Sequence, residues 1–329
     1  MKVLFIGGTG VISSAVSALA VERGIELFLF NRGQHSEFIP EGAKVIKGDV
    51  KDKLALLKGK TFDIVVDWLG FVPEDVGADI RLFKGNVGQY IFISTASVYQ
   101  KPPTHWLITE STSLANPFWQ YSRDKIACEE RLMAEYRDSG FPITIVRPSY
   151  TYGVNTIPAA INSGTERWTL VDRMRKGKRI IIHGDGATLW TMTHNTDFAK
   201  GFVGLLGNIQ AIGEAFHITS DEVLTWNQIY EAIADAAGVK LNPVYIPSDF
   251  ISKNAHDLEG ALFGDKSWCA VFDNSKIKRF VPDFVATVPF AQGIKRSIEW
   301  FEADPKRCIV DDEYGRFMDG LIAAYERAR

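Results

Sequence analysis

The first half of the chain alternates short, almost unbroken apolar runs with helix-like stretches, and that alternation restricts its fold more than any other feature. "KVLFIG" leads into a helical stretch from Ser13 to Arg23, and "ELFLF", "AKVIKGD", "FDIVVDWLG", "YIFIS" and "ITIVRP" follow in turn. Strands that are apolar on both faces need cover on both faces, and parallel neighbours need a crossover, which helices supply. Right-handed βαβ units follow, so the fold class expected is α/β, a doubly wound parallel sheet of Rossmann type. After "RPSYTYG" the pattern loosens into aromatic- and glycine-rich segments with isolated helices, such as Thr225 to Ala237 and Ala291 to Ala303. We therefore expect a doubly wound domain over 1–152, rejoined by about 190–215, and a smaller lobe over most of 153–329.

Composition narrows the partners. The chain has 329 residues, 46% hydrophobic and 23% charged, with a formal net charge of −3. That balance gives no electrostatic case for a polyanion, and no nucleic-acid partner is expected. Cys128, Cys269 and Cys308 are odd in number and lack C-x-x-C spacing, so neither a disulfide framework nor a zinc site is suggested, and a reducing cytoplasm fits. Among the six histidines the closest pair, His183 and His194, lies in loop and strand rather than on one helix face, so no metal site is expected. Charge interrupts the apolar run "FDIVVDWLGFV", and the N-terminal apolar stretch is too short for a signal peptide; no membrane span is expected.

"GGTGVIS", residues 7 to 13, follows the first strand and opens a helix. Gly7 and Gly8 permit a tight turn, and Gly10 lets the backbone approach a pyrophosphate. Thr9, Val11 and Ile12 complete the loop, whose helix N-terminus offers N–H groups and a positive dipole end. Ser13 replaces the usual third glycine and is small enough to keep strand and helix close. The second strand ends "LFLFNRG", where an NAD site usually places an acid for the ribose hydroxyls. Asn31 cannot play that part, whereas Arg32 can pair with a 2′-phosphate, so NADP is preferred over NAD. In "KGDVKD", Asp49 is placed to reach an adenine amino group and Val50 to pack on the ring.

With 10 Tyr and 20 Lys in the chain, roughly 0.6 Tyr-x-x-x-Lys matches arise by chance, so Tyr121 and Lys125 of "YSRDK" gain weight only from context. Asn116 as N-cap, Pro117 at the first position and Gly140 as the stop predict a helix that puts both side chains on one face. "FISTASVY" ends the preceding strand with a cluster of hydroxyls at the carboxyl edge of the sheet, where doubly wound folds bind ligands.

"GGTG", "GDV", "STASVY", "YSRDK", "VRPSYTYG" and "GDG", in this order from Met1 to about Thr219, resemble the extended short-chain dehydrogenase/reductase family, its NAD(P)-dependent epimerase/dehydratase group. The resemblance implies that Thr95 is the catalytic hydroxyl, Tyr121 the general acid/base, and Lys125 the group on the nicotinamide ribose. It also implies that Arg147 and Pro148 flank the cofactor, that 1–152 binds NAD(P), and that 153–329 mainly binds substrate. The expected activity is an epimerase or oxidoreductase working by hydride transfer at a hydroxyl carbon of a sugar or sugar-like small molecule. Relatives dimerise through the helix bearing this motif and its neighbour near residues 74 to 86, so a homodimer is expected. Ile126, Met133 and Tyr136 could face either that partner or the sheet.

The sequence departs from the sugar-nucleotide enzymes of that family at two places. Trp190 stands where an Arg would grip a diphosphate, and Tyr150 where many relatives carry Asn. In 4,6-dehydratases an acid pair follows the catalytic Thr; here Ala96 and Ser97 follow, so dehydration is not expected. Trp68, Ser97, Trp119, Tyr150 and Trp190 are the candidate substrate contacts, aromatic faces being suited to stacking on a sugar ring; of Trp68, Trp119, Trp168, Trp190 and Trp268 at least three read as core, and Trp119 and Trp190 are the better candidates for the site. A second reading comes from "GGTG" with "FNRG", "RPSYTYG" and "FHITSDEVLTW", which also look like the atypical branch of the family that contains chloroplast RNA-binding proteins. The intact Tyr121/Lys125 pair and the lack of Lys/Arg-rich runs speak against it.

Overall fold

The computed structural model describes residues 1–328. Its centre is one seven-stranded sheet built from β1 (Lys2–Ile6), β2 (Glu26–Asn31), β3 (Lys44–Lys47), β4 (Ile64–Asp67), β5 (Gln89–Ile93), β6 (Ile143–Arg147) and β7 (Ala215–His217). The strands lie in the order β3-β2-β1-β4-β5-β6-β7, every pairing parallel. The order reverses direction beside β1, which is the switch point where such sheets open a crevice at their carboxyl ends.

Period-2 alternation sorts each strand between two cores. Val3 and Phe5 of β1, with Leu27, Leu29, Val66 and Ile91, pack under α1 (Ser13–Glu22) and α4 (Asn195–Leu205). Leu4 and Ile6, with Val65, Tyr90, Phe92 and Ile145, pack under α2 (Pro73–Phe83) and α3 (Gln120–Ser139). Each of these side chains is essentially inaccessible, and burying one stabilises the fold by about 2 kcal/mol before entropy is counted. β3 departs from expectation: it keeps only four residues and is largely exposed, because it forms the sheet edge and lacks helix cover on its far side. Although β7 and α4 come after residue 190, both return to the sheet.

α3 begins at Gln120, three residues later than the Asn116/Pro117 signal predicts. Asn116 does cap, but it caps the turn before the helix, its Oδ1 accepting from the N–H groups of Phe118 and Trp119. The stop falls where expected, with Gly140 in the left-handed region at φ 71°. Met133 and Tyr136 pack toward the sheet with Cys128 and Leu132, whereas Ile126 stays half-exposed and outside that cluster.

The second half of the chain builds its own core around Trp168, Trp190, Trp226, Tyr152 and Phe290. The helices Trp226–Ala236 and Phe290–Glu302 match their expected spans to within a residue at each end, the first opened by a capping box between Thr225 and Gln228. Among the described residues no helix is long and apolar enough to cross a membrane.

The Gly140 cap gives a check on the helix. A Cβ there would meet nothing within 4 Å, so Gly140→Ala is expected to cost about 1 kcal/mol from backbone strain alone. The midpoint of urea unfolding should fall accordingly while cofactor titration stays unchanged.

Candidate functional site

The crevice at the carboxyl ends of β1, β2, β4 and β5 is a cleft of about 980 Å³. Its floor is the glycine turn. Gly7 and Gly8 sit at φ 105° and 102°, and a Cβ at Gly8 would press 2.6 Å from Leu29 Cδ2, so only glycine holds this course. Three side chains fix the loop: Ser13 Oγ accepts from Gly10 N at 2.9 Å, Ser17 Oγ donates to Gly8 O at 2.8 Å, and Asn195 Nδ2 donates to Val11 O at 2.7 Å. Ser13 thus does more than fit the close packing: it holds the turn.

Gly7, Gly8, Thr9, Gly10, Val11, Ile12, Asn31, Arg32, Asp49, Val50, Tyr121, Lys125 and Pro148 all line this cleft, together with Trp68, Ser94 and Asn155. Asn31 Oδ1 accepts from Gly33 N, leaving its buried Nδ2 without a partner. The buried Ser94 Oγ and Trp68 Nε1 are likewise unpartnered. Buried polar groups left in that state cost about 1–3 kcal/mol each, which a polar ligand with acceptors along the cleft would relieve. Glycine floor, helix N-terminus and orphaned donors together fit a dinucleotide. Asp49 Oδ1 is engaged in capping Lys51 N, so the other carboxylate oxygen is the one that can reach a ligand.

Arg147 does not line the cleft. It lies buried at the end of β6, where its guanidinium meets Glu129 of α3 with Nη2–Oε2 at 2.6 Å and Nε–Oε1 at 3.0 Å. The sequence placed it beside the cofactor, but a buried guanidinium must be paired, and α3 supplies the carboxylate. Trp190 also differs from expectation: fully buried, it packs on Trp226 at 5.0 Å between ring centroids, inside the lobe core and away from both cavities. Trp68 lines the dinucleotide cleft rather than a substrate site, packed against Phe5 and Phe202.

A second cavity of about 290 Å³ adjoins the cleft and is lined by Thr95, Ala96, Ser97, Trp119, Tyr121, Pro148, Ser149, Tyr150, Asp265 and Lys266. Thr95, Tyr121, Pro148 and Ser149 line both spaces, so the two meet at these residues. Of the candidate substrate residues, Ser97, Trp119 and Tyr150 are here. Asp265 and Lys266 were not foreseen; they arrive from almost 150 residues downstream of Trp119, and no local pattern in "FGDKS" announces it.

The Thr95 hydroxyl is near enough to the Tyr121 phenol to lower its pKa. Behind it the hydroxyls continue, Thr95 Oγ1 to Ser97 Oγ at 3.1 Å and Ser97 Oγ to Ser122 Oγ at 2.7 Å. Burial raises the Tyr121 pKa, outweighing the lowering effect of Thr95, and Asp265 adds to the rise. The phenol is therefore protonated across the neutral range. Lys125 Nζ donates to Gly70 O at 2.6 Å and Ile93 O at 2.7 Å, which leaves one N–H for the cleft, and it lies 6.0 Å from the Tyr121 ring centroid.

Burial pulls the Lys125 pKa down to about 8, and Asp67 is the largest influence opposing that fall, with Cys128, Glu129 and Asp75 behind it. Asp67 ends β4 directly beneath Gly70, where a Cβ would collide with its Oδ2. It belongs to a buried cluster: Tyr90 OH contacts Asp79 Oδ2 at 2.7 Å and Asp67 Oδ2 at 3.3 Å, and Lys53 Nζ meets Asp79 Oδ1 at 2.5 Å. Burial and the neighbouring Asp67 carboxylate push Asp79 well above the usual range. Since Lys125 loses its charge as pH rises through about 8, cofactor affinity is expected to weaken on that limb. Asp67→Asn removes the opposing carboxylate and should move the limb to lower pH by about 1 unit. Fluorescence titration of cofactor between pH 6 and 9.5 reads the shift directly.

Comparison with known proteins places this geometry. Residues 3–219 match the profile of the NAD dependent epimerase/dehydratase family. The 2′-dehydrokanamycin reductase of Streptomyces kanamyceticus is 26% identical over 288 residues, spanning 86% of this chain and 80% of its own. The chloroplast stem-loop binding protein of 41 kDa b from Arabidopsis thaliana is 28% identical over 267 residues, 76% of this chain and 67% of its own. Among solved structures, UDP-glucuronic acid 4-epimerase from Bacillus cereus in complex with NAD superposes with a TM-score of 0.71 at 18% identity, covering 93% of this chain and all of that one. Fold, cleft and sequence profile agree: the chain belongs to the NAD dependent epimerase/dehydratase family.

Proposed function

We propose that this protein is an NAD(P)-dependent oxidoreductase or epimerase acting at a hydroxyl carbon of a sugar-like small molecule, with Thr95, Tyr121 and Lys125 as its catalytic residues. One observation carries the reading: Thr95 and Tyr121 sit where a dinucleotide-sized cleft and a smaller cavity meet, lining both. A substrate hydroxyl or carbonyl in the smaller cavity is then within reach of both oxygens, with the cofactor space opening beside them.

The nicotinamide, when bound, accepts or supplies the hydride. Gly7 to Ile12 would cradle the pyrophosphate, Asp49 and Val50 the adenine, and the free N–H of Lys125 the nicotinamide ribose. Thr95 orients the reacting oxygen by a hydrogen bond. Tyr121, held protonated by burial, donates its proton to a carbonyl oxygen as the carbon is reduced; in the reverse direction it must first reach the phenolate, which the Lys125 ammonium and a bound oxidised nicotinamide would favour, and then takes the hydroxyl proton. The chain Thr95, Ser97, Ser122 offers a route by which the phenol hydrogen bonding can rearrange without opening the site. Ala96 and Ser97, not an acid pair, directly follow Thr95, which supports oxidation, reduction or epimerisation over dehydration.

Arg32 is exposed on the cleft and makes no ion pair among the described residues, which supports NADP over NAD. We infer that the lobe after residue 152 supplies the substrate side and that α2 and α3 form a homodimer face to which Ile126, but not Met133 or Tyr136, contributes. Although one relative is named a stem-loop binding protein, the Tyr121/Lys125 pair and the net charge of −3 favour a small molecule over RNA.

Tyr121→Phe should lower kcat by about 100-fold or more while cofactor affinity stays within about twofold; a retained rate would remove the acid/base role. Arg32→Ala should weaken NADP about tenfold and leave NAD unchanged, since only the 2′-phosphate would lose a charged partner. A salt-sensitive gel shift with single-stranded RNA would instead favour the nucleic-acid reading.

A further inference from the structure

We propose that Asp265 and Lys266 form a subsite for the vicinal hydroxyls of one uncharged sugar or cyclitol ring, and that the chamber they line excludes nucleotide sugars. This rests on the reading above, whose reacting oxygens face the same cavity.

The segment carrying the pair is fixed in place rather than loosely apposed. Residues Leu262–Lys266 form a single π-helical turn, and such turns position side chains at sites. Its far end is clamped where the Lys266 carbonyl accepts from His183 Nε2 at 2.9 Å and from Trp226 Nε1 at 3.1 Å. Its near end is held by Asn116 Nδ2, which donates to Gly264 O at 2.7 Å. A Cβ at Gly260 would collide with the Trp119 indole and one at Gly264 with Trp119 Cβ. The turn is therefore packed directly against Trp119 at the start of α3.

Within the chamber the two charges face aromatic walls. Lys266 Nζ stands 5.7 Å from the Trp119 ring centroid and 5.6 Å from that of Tyr150. Asp265 Oδ2 is 3.5 Å from Lys266 Nζ, longer than a hydrogen bond, so the pair attract each other while both keep capacity for a ligand. A carboxylate accepts from one hydroxyl and the ammonium donates to the oxygen of its neighbour, which is the pattern a vicinal diol presents. Trp119 and Tyr150 offer flat faces to the C–H side of a ring. Ser97 adds a hydroxyl near Thr95.

Charge and size select against other ligands. Asp265 and Lys266 stand 3.5 Å apart, so an anionic or cationic substituent would meet a like charge beside its counter-charge and gain little. About 290 Å³ matches a single ring, at the lower limit for small-molecule sites, so a nucleoside diphosphate would have to lie outside the residues that line it. Trp190 and Tyr150 at the two positions noted above offer no cation for one.

The test is equilibrium binding to the full chain saturated with NADP or NAD, using the Tyr121→Phe variant so that no turnover interferes. The probes are glucose, galactose, myo-inositol, glucuronate, glucosamine and UDP-glucose, read by quenching of intrinsic tryptophan fluorescence. At least one of the three neutral polyols should bind saturably and more tightly than the charged probes. Asp265→Asn and Lys266→Met should each weaken that binding about tenfold or more with cofactor affinity unchanged. Preference for glucuronate, glucosamine or UDP-glucose overturns the proposal, as does unaltered polyol binding in both variants or saturable binding by none of the probes. Failure of the cofactor titration on the same samples would overturn the oxidoreductase reading itself, and so separates the two.

Discussion

One buried ammonium holds the site together. Lys125 is 2% exposed, and an ion removed from water to that degree persists only where hydrogen bonds and an opposing charge replace its hydration. Those partners come from two separate parts of the chain: Ile93 O at the end of β5, and Gly70 O with the Asp67 carboxylate at the end of β4. They converge only because parallel strands deliver their carboxyl ends to one edge. The helix must then dock in a single register, since Lys125, Cys128, Glu129 and Leu132 are its buried face at helical spacing.

From that register the chemistry follows. With Lys125 fixed, Tyr121 lies one turn earlier, where the two cavities meet, and the Thr95 hydroxyl is brought beside it by the tight turn after β5, where Thr95 also caps Ser97 N. The phenol is dry enough to keep its proton and lies beside Thr95, whose hydroxyl continues through Ser97 to Ser122. On the proposed reading, rigid placement of the phenol against a small cavity lowers the orientation cost of proton transfer, because that cost is met on folding.

The doubly wound sheet was legible because burial on two faces writes itself into every strand: Val3 and Phe5 serve one core, Leu4 and Ile6 the other. The glycine turn was legible for a similar reason, as local geometry demands local residues. What could not be read were the partners of long-range charges. Arg147 looks like a cleft residue in "VRPSY", yet its fate was set by Glu129 on another element. Trp190 looked free to bind ligand until Trp226 enclosed it, and Asp265 and Lys266 carry no local pattern at all. The start of α3 was misjudged because Asn116 and Pro117 cap a turn with the same residue preferences as a helix.

The charges around α3 are costly by design of the fold, and their cost explains their arrangement. Lys125 with Asp67, Arg147 with Glu129, and Lys53 with Asp79 are all buried beside the same helices, α2 and α3. Apolar residues of equal volume would commonly stabilise such positions, so stability alone is a poor reason for them. An apolar face, however, tolerates sliding by a turn, whereas a guanidinium facing a carboxylate and an ammonium facing two carbonyls do not. Glu129 and Lys125 are four residues apart on one face, so the two interactions define both the rotation and the axial position of α3. A helix that must place one phenol where two cavities meet needs that definition more than it needs the additional apolar contact.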